Sequence, residues 1–376
     1  MNCRSEAKAA PGAQNPISPP FPLLGLLLFF LAGACTSGTT IEDQHRNQPK
    51  VTEQGDHSEN FVEARENQGI EEKEDEKEKE DELDLSFWTY ETGESYFSET
   101  GFIEFVAGDL PLILAAPHGG YLEPDEIPPR SWGVQVRDAF TQELTREISD
   151  ALFAQTGRRP HLVINLLART RLDANRGLEE AAQENPLAEA AWAEFHQFIE
   201  EAKFYSLTRF PHALFLDIHG HGHTIQRVEL GYLLSAAALR SDEEEIRDPE
   251  MIGSSSIRTL YEANADSTSF VEILRGPKSF GTLLEGQGFL SVPSYEQPAP
   301  ELSWAYFSGG YNTRRWGSVE GSEMSAIQVE VNRNHRFNEE NRLAMAAGLS
   351  RATREYLEEF FQISIPLLDE LAEAAE

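Results

Sequence analysis

The stretch Leu214 to His223, LFLDIHGHGH, carries three histidines at alternate positions, directly after an apolar run that ends in Asp217. Imidazole is the commonest protein ligand for metals such as zinc and titrates near neutral pH, so this stretch has the means to hold a cation or to move a proton. A short, continuous apolar run is the pattern of a strand buried in a parallel sheet, and open α/β sheets bind ligands just past the carboxyl ends of such strands. His219 is expected at that position, with Gly220 and Gly222 letting the backbone turn tightly beside a bound group. His221 and His223 fit a solvated, histidine-rich turn equally well.

A second stretch ends the same way. Leu112 to Gly120, LILAAPHGG, is an apolar run that stops at His118 and two small residues. Two strands therefore deliver His118 and His219 to one edge. Two imidazoles about 2.0–2.1 Å from a shared zinc, with a carboxylate as third ligand and water as fourth, make a catalytic rather than a structural site.

Two further stretches add polar chemistry. Leu166 to Arg176, LLARTRLDANR, places Arg169, Arg171, Asp173, Asn175 and Arg176 after another apolar run. Arginine grips carboxylates bidentately and stabilises a developing oxyanion, so these residues suit substrate binding better than a salt-bridged surface loop. In Ile327 to Arg336, IQVEVNRNHR, strand alternation puts Gln328, Glu330 and Asn332 on one face and Ile327, Val329 and Val331 on the other. A carboxylate such as Glu330, set near an activated water, can act as general base and return the proton to a leaving nitrogen.

The elements that must position these groups are legible as alternating strands and helices. Strand-like runs fall at Phe102 to Val106, Leu112 to Ala116, His161 to Leu167, Ala213 to Ile218, Val228 to Leu234 and Ile327 to Val331. Val136, Phe140, Leu144, Ile148 and Leu152 recur every four residues and stop at Gly157, as an amphipathic helix with a glycine cap does. Further helices are expected from about Leu187 to Ala202 and from Glu339 to Phe361. The pattern predicts an α/β fold, a mixed and mostly parallel sheet with helices on both faces. Residues 85–376 read as one catalytic domain, without an internal linker or repeat.

The beginning of the chain reads as an address. Arg4 and Lys8 precede an apolar stretch, Pro22 to Ala34, that is too short for a stable membrane span and suits a signal peptide. It closes with Leu31, Ala32, Gly33, Ala34 and Cys35, which resembles the lipobox of bacterial lipoproteins, in which the cysteine is lipidated. Residues 1–35 are thus expected to be a lipoprotein signal peptide. Lipidated Cys35 would anchor the chain to the cell envelope, with Thr36 suiting outer-membrane sorting on the periplasmic or surface side. Residues 36–84 are polar and end in an acidic run, as a disordered tether does. The only cysteines are Cys3 and Cys35, so the remaining chain has no disulfide and any zinc site must use histidine and carboxylate. A formal charge of -33 excludes nucleic acid as a partner and leaves the lipid anchor as the one expected membrane contact.

Six motifs in order resemble the N-formylglutamate amidohydrolase family. They are Pro117-His118-Gly119-Gly120, Asp138 in RDAFTQEL, Asp173-Ala174-Asn175-Arg176, Asp217-Ile218-His219-Gly220, Gly309-Gly310-Tyr311-Asn312-Thr313-Arg314, and the strand glutamate Glu330. The resemblance spans about Leu112 to Arg336 and implies a zinc carboxypeptidase-like fold. It implies one Zn2+ held by His118, His219 and a carboxylate, with Glu330 as general base. Asp138 is the preferred third ligand and Glu123 the competitor. Asn175 and Arg176 would hold a substrate carboxylate, Arg171 or Arg314 would polarise the scissile carbonyl, and Tyr311 would close over the substrate. Glycine replaces the family's serine after both histidines, and His221 and His223 add imidazoles that could contact substrate or a second metal. The implied activity is zinc-dependent hydrolysis of an amide in a small N-acyl amino acid or peptide that carries a free carboxylate. The alternatives are a cell-wall peptide carboxypeptidase or amidase, and a surface-binding lipoprotein without catalysis.

Overall fold

The computed structural model describes residues 88–374; the signal segment, Cys35 and the acidic tether lie outside the described residues. The described residues fall within one compact unit, Lys77–Glu376. Its centre is an eight-stranded sheet of order β1-β2-β4-β3-β5-β8-β6-β7. The strands are β1 (Ser95–Phe97), β2 (Ile103–Val106), β3 (Leu112–Ala116), β4 (His161–Asn165), β5 (Ala213–His221), β6 (Val228–Gly231), β7 (Ser291–Val292) and β8 (Met324–Asn332). The block β4-β3-β5-β8 is parallel, and β6 joins it antiparallel to β8. The fold is α/β, mixed and mostly parallel, as the alternation of elements predicts.

Strand alternation divides the core into two layers. Leu112, Leu114, Leu214, Leu216, Ile218, Ile327 and Val329 pack on one face, against the helices Thr141–Thr156 and Glu339–Phe360. Ile113, Ala115, Ala213, Phe215, Met324 and Ala326 pack on the other, against the helix Pro186–Arg209, whose start is capped by the Asn185 side chain. On this second face the strands change character half-way along. Ala213 and Phe215 give way to Asp217, His219 and His221, and Met324 and Ala326 to Gln328, Glu330 and Asn332. The polar end of the second layer gathers the candidate site residues.

Two expectations need correction. The helix read from Val136 begins only at Thr141; Leu144, Ile148 and Leu152 are buried, but Val136 is 76% exposed and Phe140 is left-handed at φ 66. The missing turn is drawn to the sheet edge instead, with the Asp138 amide donating to His118 O (3.2 Å) and Arg169 Nη1 donating to Val136 O (3.2 Å). Nor does the chain turn at Gly220. β5 runs on to His221, and a Cβ at Gly220 would stand 2.0 Å from the Arg336 guanidinium carbon. The glycine admits a buried arginine. The short helices between Ala236 and Gly286, and the edge strands β1 and β7, carry no periodicity long enough to announce them.

Gly120 fixes the loop that follows β3. A Cβ there would meet Leu167 O at 2.2 Å and the Leu166 carbonyl carbon at 2.4 Å, both backbone atoms of the chain leaving β4. Gly222, by contrast, has nothing within 4 Å of such a Cβ. Gly120→Ala is therefore expected to lower unfolding stability by about 1–3 kcal/mol. Gly222→Ala should stay within about 0.5 kcal/mol of the parent in the same denaturant titration.

Candidate metal centre

His118 follows β3 by two residues, His219 lies in β5, and Asp138 lies in the loop before the helix Thr141–Thr156. All three are buried, at 1%, 2% and 8% exposure. Their ligand atoms converge: His118 Nδ1 and His219 Nδ1 are 3.1 Å apart, and Asp138 Oδ2 lies 3.3 Å from the first and 3.1 Å from the second. The two outer nitrogens face carboxylates. His118 Nε2 is 2.6 Å from Asp173 Oδ1, and His219 Nε2 is 2.8 Å from Asp217 Oδ2. Each carboxylate accepts an Nε2–H, so each imidazole presents a bare Nδ1 lone pair to the centre.

Three electron-pair donors then face one another with no hydrogen to share, an arrangement that a central cation satisfies. Atoms bound about 2.0–2.1 Å from a tetrahedral ion stand about 3.3 Å apart, which is the spacing found here. The group His118, Asp138 and His219 could hold a metal ion. When protons take the cation's place at this centre, burial still pushes the Asp138 carboxyl up, but the hydrogen bonds then donated by His118 and His219 outweigh it and hold the group well below the usual carboxylate range. Burial likewise disfavours a charged His219. The negative charge of Asp217 and the hydrogen bonds to Asp138 and Asp217 reverse that, raising its pKa well above the ordinary value. The carboxylates thus draw positive charge to this centre, as a proton or as a cation that displaces it.

Glu330 sits beside this centre because the register of β5 and β8 pairs it with His219. Its Oε1 accepts from Gln328 Nε2 (3.0 Å), while Oε2 is buried without a hydrogen-bond partner among the described residues. Burial raises its pKa to about 8, against the opposing charge of His219. Both residues line a cavity of about 320 Å³ that is also bordered by Arg169, Asn175, Arg176 and Phe307.

The other candidate residues divide. Asn175 and Arg176 reach the cavity, where Asn175 Oδ1 accepts from the Asn312 amide (2.7 Å). Arg171 turns away, donating to Ile127 O (2.6 Å) and facing Glu123 at 3.6 Å. Glu123 itself is half-exposed and not part of the histidine cluster, so of the two carboxylates it is Asp138 that the fold brings to the histidines. Arg314 is exposed on the helix Tyr311–Trp316, and the Tyr311 hydroxyl accepts from Arg315 (3.0 Å) rather than bordering the cavity. His221 and His223 gather with Glu229 into a separate group.

Three roles went unread in the sequence. Asp173 and Asp217 appear there only as members of motifs, whereas they orient both imidazoles. Arg169, rather than Arg171, holds Asp173 Oδ2 (3.0 Å) and stands 3.4 Å from Asp138 Oδ1. Arg336 lies under Gly220, donating to Val331 O (2.9 Å) and to Ala139 O, and places a buried positive charge near Asp138 and Glu330. The Asp173–Arg169 spacing of four residues, just after a strand, was the one available signal.

No family model and no curated protein matches this chain. Among solved structures it is similar to N-formylglutamate amidohydrolase from Ralstonia eutropha JMP134, at 12% identity over 69% of this chain and 98% of that one, with a TM-score of 0.41. It is also similar to a gene product of Agrobacterium tumefaciens, at 13% identity over 70% and 97%, TM-score 0.39. A third likeness is to succinylglutamate desuccinylase from Chromobacterium violaceum, at 14% identity over 74% of each chain, TM-score 0.33. Likenesses this distant carry no argument about chemistry, which rests on the donor geometry alone.

The centre predicts its own metal dependence. His219→Ala, supplied with zinc, is expected to retain none by elemental analysis, whereas Glu123→Gln retains as much as the parent. Asp173→Asn is expected to weaken zinc affinity about 10- to 100-fold by freeing the His118 ring. Full occupancy in His219→Ala would remove that residue from the ligand set.

Proposed function

We propose that this chain is a zinc-dependent hydrolase of a small amide, an N-acyl amino acid with a free carboxylate. The observation that carries the reading is the pairing of a convergent donor triad, His118, Asp138 and His219, with the unpartnered Glu330 Oε2 in one buried pocket. His118, Asp138 and His219 would hold the zinc ion, which would supply Lewis acidity to polarise the carbonyl and to make a water nucleophilic near neutral pH.

The chain's own groups do the rest. Glu330 takes the proton from the attacking water as the C–O bond forms, and returns it to the nitrogen as the C–N bond breaks, so the products are a carboxylic acid and a free amine. A carboxyl tuned by burial towards neutral pH suits that two-way traffic. Arg176 and Asn175, from the loop after β4, bind and orient the substrate carboxylate. Arg169 is already engaged by Asp138 and Asp173 and serves to hold the ligands in place. A cavity of about 320 Å³ lies at the small end of ligand sites and favours a single acylated residue over a cell-wall peptide.

Glu330→Gln tests the assignment. The variant is expected to bind zinc as the parent does and to lose about 10²- to 10⁴-fold in kcat on N-formylglutamate. Equal turnover by the two proteins would take Glu330 out of the mechanism. Zinc binding without hydrolysis of any N-acyl amino acid by the parent would favour a non-catalytic binding protein instead.

A further inference from the structure

The cavity wall opposite the arginines is built on a buried ion pair that the mechanism above does not use. Arg227 and Glu229, at the start of β6, are fully buried and pair through Arg227 Nη2 and Glu229 Oε1 at 3.3 Å. Around them the segment 304–310, which has no regular secondary structure, is pinned residue by residue. The Arg227 guanidinium lies 5.1 Å from the Trp304 ring centroid and donates to Ala305 O (3.2 Å). Tyr306 donates its hydroxyl to Leu230 O (2.5 Å), the Phe307 amide donates to Glu229 Oε2 (3.0 Å), and Ser308 O accepts from the Leu233 amide (2.6 Å). A Cβ at Gly231 would come within 2.4 Å of Gly309 N, so the segment rests directly on β6.

The result of this clamping is the placement of one ring. Phe307 lines the cavity and is 42% exposed, with one face stacked on His223 at 4.8 Å and 9°. His223 is held in turn by Glu229 Oε1 at 3.0 Å. This group is poorly suited to a second metal. Glu229 is already neutralised by Arg227, and His221 uses Nε2 on Arg227 O (2.9 Å) and Nδ1 on the His223 amide (3.2 Å). Its evident product is a fixed aromatic surface beside the centre.

Sheet order gives that surface a direction. The loop carrying Asn175 and Arg176 follows β4, His118 follows β3, His219 and Glu330 lie on β5 and β8, and Phe307 is bonded to Glu229 of β6. A substrate whose carboxylate meets Arg176 and whose amide lies between the histidines and Glu330 therefore extends its acyl group towards Phe307. We propose that Phe307 determines specificity for the acyl group, and that the substrate carries a flat apolar acyl group, an aromatic ring, which stacks there. This rests on the amide-hydrolase reading above.

The test compares N-benzoylglutamate with N-formylglutamate on the zinc-loaded full chain. The parent is expected to prefer the benzoyl substrate in kcat/KM. Phe307→Ala should lower the benzoyl-to-formyl ratio about tenfold or more, mainly through KM, and Phe307→Trp should restore it. Calorimetric binding of N-benzoylglutamate to the Glu330→Gln protein, with and without Phe307→Ala, reads the same contact without turnover. A parent preference for the formyl substrate, or a ratio unmoved in Phe307→Ala, overturns the inference and leaves the hydrolase reading intact. No hydrolysis of either substrate, with benzoyl binding that weakens in the double variant, keeps the aromatic wall and sinks the hydrolase. Neither hydrolysis nor binding overturns both.

Discussion

The site depends on two imidazole–carboxylate hydrogen bonds, His118 to Asp173 and His219 to Asp217. They settle which nitrogen of each ring carries hydrogen, and so make the inner edges of both rings pure acceptors. Without them the rings could share a proton across their 3.1 Å gap. The two carboxylates are fully buried, which is costly unless each is fully engaged. Hence the surrounding commitment of polar groups, with Asn312 Nδ2 at 3.4 Å from Asp217 Oδ1 and arginines around Asp173. Arg169 and Arg130 face Asp173, and Arg336 offsets Asp138 and Glu330 from beneath Gly220. Removing one partner of such a set leaves an uncompensated buried charge, worth about 3–5 kcal/mol.

What the sequence discloses follows from what local pattern can encode. His118, His219 and Glu330 are legible because each stands at the end of, or within, an apolar run whose period fixes its face. Asp138 is legible only as a motif member, since its backbone leaves the helical pattern to bond His118 O. Arg169 and Arg171 are indistinguishable by type and both follow β4. Only the loop conformation sends the first to Asp173 and the second to Ile127 O. Arg336 is hidden for a similar reason. Its place depends on a missing side chain at Gly220, a contact between positions far apart in the chain. The glycines after the histidines are thus steric permissions more than turns.

Register does the final positioning. His219, Glu330 and Glu229 stand abreast on β5, β8 and β6, because the first pair is in parallel register and the second in antiparallel register. One row across three strands therefore carries a ring of the candidate metal centre, a carboxyl with an unpartnered buried oxygen, and the anchor of the aromatic wall. A slip of a single residue in β8 would turn Glu330 to the opposite, apolar face and break the row at its centre. The apolar residues Ile327, Val329 and Val331, fully buried on that face, penalise such a slip. The energy that fixes the geometry of the candidate site thus comes from the hydrophobic layer behind it, and the composition of the polar face is left free.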